Sequence, residues 1–180
     1  MSVKDMVYAA LFAAVTAALG LLPMIPVLPG VPITAQSLGV MLAGSILGAK
    51  RGALALLVFT ALAAAGLPLY AGGRGGIGLF LGPTGGYALG YVLGAFVTGW
   101  LVERMWSGLN TFKAFVACIV GGIGMVYLLG IPWLAAVAKI SLAKAFIGSM
   151  AFVPGDLIKA ILAAFVAMAI KKAYPNIKKN

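Results

Sequence analysis

The sequence contains no histidine, one cysteine and only three acidic residues among its 180 positions. The single cysteine, Cys118, excludes a disulfide framework and a cysteine metal site. Without histidine and with so few carboxylates, the general bases and metal ligands that most enzymes need are scarce. The sequence therefore predicts a protein that is not an enzyme and that has no metal or cofactor.

Hydrophobic residues make up 63% of the chain and charged residues only 9%, with a mean hydropathy of +1.13. These values are typical of an integral membrane protein. A net charge of +10 could indicate nucleic-acid binding, but the bases lie between and after apolar runs, as topology signals do. The first run is long for a signal peptide and five more follow it, so it is interpreted as a span.

Six apolar runs predict an all-α bundle of six transmembrane helices within one domain, 1–180. The approximate spans are 6–22, 35–48, 52–69, 84–102, 114–130 and 153–170. Four prolines between positions 23 and 32 predict an extended outer connection after the first span. The segment 134–150 is predicted to be a partly helical outer cap.

The predicted spans divide the basic residues between the two sides of the membrane. Nine fall on the side of the termini and three fall opposite, which places both termini in the cytoplasm by the positive-inside rule. The nine are Lys4, Lys50, Arg51, Arg104, Lys113, Lys171, Lys172, Lys178 and Lys179; the three are Arg74, Lys139 and Lys144.

Glycine is dense between positions 66 and 91, in the motifs at 72–76 and 82–87. The apolar residues between these motifs favour a loop that folds over a cavity on the outer side. The G-x-G-x-x-G match at 73–78 is weak, because no strand-helix-strand unit surrounds it, and it lacks the G-K-[ST] ending of a phosphate loop.

Asp156 and Lys159 are an acid and a base inside the last apolar run. Each charge near the middle of a bilayer costs about 2.5–3.5 kcal/mol on insertion scales. Two charges in one span therefore indicate a functional or structural role for the pair. Residues three apart share a helix face, so the two charges can pair with each other or converge on one ligand. Pro154 in the first turn puts Asp156 near the positive end of the helix dipole.

The candidate binding site combines this pair with polar residues of the outer half, Gln36, Arg74 and Tyr87. Carboxylate, ammonium, amide and guanidinium groups together suit a small ligand with a urea-like head and an acid tail. The alternative is a purely structural ion pair with Arg74 capping a loop.

The first span carries a doubled pattern of small residues, Ala9, Ala10, Ala13, Ala14, Ala17 and Ala18. One interpretation is packing against a helix of the same chain, and the other is a docking face for a second membrane protein.

These motifs together resemble the BioY-type biotin-binding S-components of energy-coupling factor (ECF) transporters. The similarity rests on V-P-I-T-x-Q at 31–36, L-G-x-x-R-G at 47–52, G-G-R-G-G at 72–76, G-P-T-G-G-Y at 82–87 and P-G-D-x-x-K at 154–159. The resemblance implies a biotin transport subunit of the prokaryotic cell membrane whose ligand lies near Gln36, Gly73, Arg74, Gly75, Tyr87, Asp156 and Lys159. It also implies docking through the alanines of the first span to a membrane coupling protein that carries two ATP-binding subunits. Some members carry a further base after the G-G-Y motif, where this chain has Ala88.

Other classes of protein remain as alternatives. An S-component for another small vitamin is the nearest, and a structural membrane scaffold is the second. A channel fits less well, because the polar groups gather in the outer half rather than along a path through both leaflets.

Overall fold

The computed structural model describes residues 2–28 and 31–174, and within these ranges the chain is mostly helical. Lys178 and Lys179, which are predicted to lie in the cytoplasm, fall outside the described residues. The helices are α1 (Val3–Leu19), α2 (Gln36–Leu47), α3 (Ala49–Ala64), α4 (Ile77–Leu81), α5 (Gly85–Arg104), α6 (Thr111–Cys118), α7 (Val126–Val137), α8 (Leu142–Ser149) and α9 (Val153–Ala173). A π-helical segment, Ile119–Met125, joins α6 to α7, and one-turn 3₁₀ helices precede α6 and α9.

The proline-rich connection after α1 forms two short antiparallel strands, β1 (Ile25–Leu28) and β2 (Val31–Ile33). The prediction of an extended connection is therefore confirmed. Ile25 pairs with Ile33, and residue Pro26 faces Pro32. Proline has no N–H to donate and is confined to edges and irregular positions of sheets. A proline-rich sequence is therefore expected to form only a short ladder such as this one.

Three helical segments of the described chain are long and apolar enough to cross a membrane: Gly85–Arg104, Thr111–Val137 and Leu142–Ala173. The apolar helix α2 is shorter, at 12 residues. The predicted spans 6–22, 35–48 and 52–69 overlap α1, α2 and α3, and the count of six membrane crossings stays a prediction. The fifth predicted span ended at residue 130, whereas the helix continues through Pro132 to Val137.

Helix α5 lies at the centre of the bundle and packs against α2, α3 and α7. Gly90 is one of the glycines at which α5 closely approaches α7, since a Cβ atom placed there would lie 2.9 Å from the Cα of Val126. A larger residue would therefore force the two helices apart. Helices α1 and α9 both pack against α2; α1 also packs against α3, and α9 also packs against α6.

The helix ends that carry most of the bases meet at one end of the bundle. Arg51 at the start of α3 forms an ion pair of 2.6 Å with Asp5 at the start of α1. At the end of α9, Lys171 donates a hydrogen bond to the carbonyl of Trp106, 2.8 Å away. The grouping agrees with the positions assigned to these bases from the sequence, while the side of the membrane stays a prediction.

Candidate functional site

A cavity lies between the N-terminal ends of α2, α5 and α9, and strand β2 forms part of its wall. The cavity has a volume of about 60 Å³, or about 560 Å³ when the space of its open mouth is included. The lining residues are Val31, Pro32, Ile33, Thr34, Gln36, Ser37, Tyr70, Arg74, Thr84, Tyr87, Tyr91, Gly122, Val126, Tyr127, Phe152, Asp156 and Lys159.

Asp156 is the buried acid of this cavity, with a relative exposure of 5%. Its Oδ1 accepts hydrogen bonds from Ser37 Oγ at 2.9 Å and from Lys159 Nζ at 2.9 Å, and its Oδ2 accepts one from the Tyr127 hydroxyl at 2.7 Å. Asp156 and Lys159 therefore form the ion pair that their spacing allows. A carboxylate offers about four acceptor positions, so the three bonds leave capacity on Oδ2 for a donor from a ligand.

Lys159 uses all three of its N–H donors within the chain. Besides Asp156, its Nζ donates to the Thr34 carbonyl at 2.6 Å and to Ser37 Oγ at 3.0 Å. An ammonium group has three donors and no acceptor. A ligand carbonyl can therefore receive a hydrogen bond from Lys159 only by displacing one of these acceptors.

Aromatic side chains form much of the remaining wall. Tyr87 lies edge-on to Tyr127 and to Phe152, with ring centroids 6.2 and 6.3 Å apart. The Tyr87 hydroxyl lies 2.7 Å from Ser149 Oγ, and Ser149 itself donates to the carbonyl of Ala145. Since Ser149 Oγ donates elsewhere, the Tyr87 hydroxyl is the donor in this contact, and the Tyr87 ring is fixed against α8.

Gln36 is fully buried, and its side-chain amide is held by backbone groups of two other segments. Its Nε2 donates to the carbonyls of Leu69 at 2.9 Å and Thr16 at 3.3 Å, while its Oε1 accepts from the N–H of Ala71 at 3.1 Å. These contacts tie the start of α2 to α1 and to the loop after α3. The structure thus gives Gln36 a role in holding the wall, and direct ligand contact by this residue stays a prediction.

Arg74 is fixed by the glycine-rich loop. A short antiparallel bridge joins it to Tyr70, and its Nε donates to the Ala71 carbonyl at 3.0 Å. Gly72 and Gly73 make the turn between them with φ values of 77° and 69°, which L side chains rarely adopt. Burial raises the pKa of the Tyr70 phenol, so this side chain stays neutral at physiological pH.

Gly73 and Gly75 do not line the cavity but a neighbouring recess on the exposed side of the same loop. The recess is bounded by Gly73, Arg74, Gly75, Gly78, Leu79, Gly82, Pro83 and Thr84. Gly75 packs so closely on the carbonyl oxygen of Leu67 that a Cβ atom would collide with it. This close approach explains why position 75 requires glycine without any contact to a ligand.

Five of the predicted site residues therefore share one cavity, namely Gln36, Arg74, Tyr87, Asp156 and Lys159. Sequence reasoning missed Ser37 and Tyr127, which complete the hydrogen-bond shell of Asp156. Ser37 could have been found from the sequence, because it is a polar residue one position after Gln36 at the start of a span. Tyr127 could not have been found in this way, because the sequence does not distinguish a tyrosine that lines a cavity from one that only packs in the core.

The predicted docking alanines of α1 divide into two faces. Ala9 and Ala13 are buried within the chain, with relative exposures of 1% and 6%, and Ala17 is partly buried. Ala10 and Ala14 are exposed, as is Ala18. The face with Ala9 and Ala13 packs against α2 and α3. The docking hypothesis is therefore kept for the exposed face with Ala10 and Ala14.

Comparison with known proteins identifies the family of the chain. Residues 1–176 match the sequence profile of the BioY family. The chain belongs to the BioY family. It is 53% identical over 182 residues to a protein of Rhizobium etli named biotin transporter BioY, with 97% of each chain covered. A BioY protein of Rhodobacter capsulatus, also named as a biotin transporter, is 48% identical over 175 residues, with 92% of each chain covered.

A solved structure extends the BioY likeness to the fold. The crystal structure of an S-component for biotin from an ECF-type ABC transporter superposes with a TM-score of 0.89 at 36% identity. The alignment covers 94% of this chain and 92% of the other. The helical arrangement described above is therefore an S-component fold.

Proposed function

We propose that this BioY chain captures biotin from outside the cell as the substrate-binding subunit of an ECF-type transporter. The observation that carries the proposal is the buried Asp156, hydrogen-bonded to Lys159, in a cavity walled by aromatic side chains. A binding subunit needs no catalytic groups, and the described residues include no cluster of acidic or cysteine side chains able to hold a metal ion.

The ureido ring of biotin has two N–H donors and one carbonyl acceptor. Asp156 Oδ2 can accept one ureido N–H while it keeps the bond from Tyr127. The ureido carbonyl can take a donor from Lys159 if it displaces Ser37 Oγ as an acceptor, or from Ser37 if the Ser37 hydroxyl gives up its bond to Asp156 Oδ1. Ser37 is therefore part of the proposed ureido site, since its hydroxyl can turn from one partner to another.

The valerate tail of biotin ends in a carboxylate, and Arg74 is the proposed partner of that group. The described residues lining the cavity include two cationic side chains, Lys159 and Arg74, and Lys159 is held by Asp156. Arginine presents its N–H groups in a planar fork that matches a carboxylate. The tyrosine rings between the two ends would cover the apolar part of the ligand.

The proposed partners are a membrane coupling protein and two ATP-binding subunits, with α1 providing the contact. Ala10 and Ala14 lie on an exposed face of α1, where small residues permit close helix approach. The proposed topology has six spans within a single domain, both termini in the cytoplasm and the glycine-rich loop outside. In this orientation the cavity opens to the side from which the vitamin arrives, in the plasma membrane of a prokaryote.

Calorimetric titration of the purified protein with biotin tests this function. We expect saturable binding of one biotin per chain, and biotin in the mass spectrum of ligand that copurifies with the protein. Thiamine and riboflavin serve as matched controls, because they are vitamins without a bicyclic urea. Binding of one of these in place of biotin would assign the chain to another vitamin, and binding of none would contradict the proposal.

A further inference from the structure

Two spaces on the outer side of the chain share part of their walls. Arg74 and Thr84 line both the binding cavity and the neighbouring recess of the glycine-rich loop. The two spaces therefore lie on either side of the same two side chains.

The recess is the exposed member of the pair. Gly73 and Gly78 in its wall are exposed, whereas Tyr87 and Asp156 in the cavity are buried. A molecule in the recess is therefore in contact with solvent and one side-chain layer away from the cavity.

The backbone around the recess is anchored at both edges. Trp133 Nε1 donates to the carbonyl of Gly82 at 2.9 Å, and the N–H of Gly76 donates to the carbonyl of Ala63 at 2.7 Å. Helix α4 between these points can keep its position while Arg74 exchanges a bond within the loop, such as that to the Ala71 carbonyl, for one to a ligand.

We propose that the recess is the route by which the ligand reaches the cavity, and that Arg74 binds the ligand carboxylate there first. The guanidinium borders both spaces, so it can hold the carboxylate while the ring of the ligand passes Thr84 into the cavity. Electrostatic attraction at the entrance raises the rate of encounter for an anionic ligand. This inference rests on the proposed biotin binding, and it assigns the access route to α4 rather than to the β1–β2 hairpin, whose strand β2 forms part of the cavity wall.

A single cysteine at Gly78 provides a reversible block. A Cβ atom at Gly78 meets no heavy atom within 4 Å, so Gly78→Cys fits the fold. The background is Cys118→Ala, which removes the one native cysteine, a buried residue. The matched control is Ile77→Cys in the same background, because Ile77 is the preceding residue of α4, is 64% exposed and does not line the recess.

Biotin association and dissociation are measured by stopped-flow before labelling, after labelling with a bulky methanethiosulfonate, and after its removal by a thiol. We expect the label at position 78 to slow both rates about tenfold or more, with Kd changed less than about threefold, because a blocked route affects both directions equally. Removal of the label should restore both rates, and the label at position 77 should leave them unchanged.

Unchanged rates after labelling at position 78 would overturn the inference and leave the hairpin as the route. A weaker Kd caused by faster dissociation would also overturn it, since the recess would then be part of the final binding site. Absence of biotin binding in the unlabelled parent would contradict the proposed function itself, so the two failures are distinguishable.

Discussion

The hydroxyl of Tyr127 lies 2.7 Å from Oδ2 of Asp156 and joins α7 to α9 inside the cavity. Tyr127 is nearly buried, and its phenol donates to the oxygen that Lys159 does not contact. The carboxylate is thereby held from two sides, which fixes the direction of its remaining acceptor position. This arrangement prepares the site before the ligand arrives.

Replacing Tyr127 by phenylalanine should weaken biotin binding without unfolding the protein. The ring contact with Tyr87 remains, but the carboxylate loses one donor and can rotate. Hydrogen bonds to charged groups are worth enough that we expect a loss of roughly 1–2 kcal/mol, about five- to thirtyfold in Kd. Calorimetric titration measures it, with Tyr174→Phe as the control, because Tyr174 is exposed near the far end of α9. An unchanged Kd would mean that the Tyr127 bond only supports the fold.

Asp156→Asn should reduce biotin affinity strongly. The amide has the same shape, but it exchanges a charged acceptor for a group whose two donors have no acceptors among Ser37, Tyr127 and Lys159 as now arranged. We expect a loss of about 1.5–3 kcal/mol or more in binding free energy. Titration of protein with a normal melting curve provides the measurement. Binding as tight as that of the parent would show that the acid is structural and that the ligand lies elsewhere.

Lys159→Ala should damage both folding and binding. Its removal leaves Asp156 without a counter-charge and the Thr34 carbonyl without its donor. Breaking one partner of a buried ion pair typically costs about 3–5 kcal/mol, shared here between stability and affinity. The double variant Asp156→Asn with Lys159→Ala separates the contributions, since it removes the uncompensated charge. Recovery of the melting temperature without recovery of binding is the expected result, and recovery of both would contradict a direct role.

Gln36→Leu tests whether this residue holds the wall or contacts the ligand. The change leaves two carbonyls and the N–H of Ala71 without their buried partner. Each unsatisfied buried group costs about 1–3 kcal/mol, so a large fall in melting temperature is expected. Ser45→Ala is the control, because among the described residues its hydroxyl donates to a carbonyl of its own helix, that of Leu42. A normal melting curve combined with lost binding would favour ligand contact instead.

Five residues of the candidate site could be predicted to lie together because buried charge is rare in membrane helices. Asp156 and Lys159 stood out for their cost, and their spacing of three fixed their common face. Arg74 stood out because glycines surround it. These features depend on local sequence alone, which is why they could be predicted without knowledge of the packing.

The partners of these residues depend on packing and could not be predicted in the same way. Tyr127 reaches Asp156 across 29 positions of sequence, and Gln36 reaches Ala71 across 35. Both contacts arise from the crossing of helices. The same limit applied to α1, where alanines on adjacent faces have equal volume, and only the positions of α2 and α3 decide which face is buried.

Tryptophan substitutions on the two faces of α1 should therefore separate packing from docking. Ala10→Trp and Ala14→Trp place a large ring on the exposed face, where it obstructs close approach of a partner helix but leaves the cavity intact. We expect normal biotin binding in detergent and loss of most uptake in cells that also produce the coupling protein and its ATP-binding subunits. Ala13→Trp is the internal comparison, because Ala13 is buried and overpacking there should lower the melting temperature by itself. Uptake at the parental level by folded, membrane-inserted Ala10→Trp and Ala14→Trp would exclude this face as the docking surface. Loss of biotin binding in these two variants would instead show that the face supports the cavity.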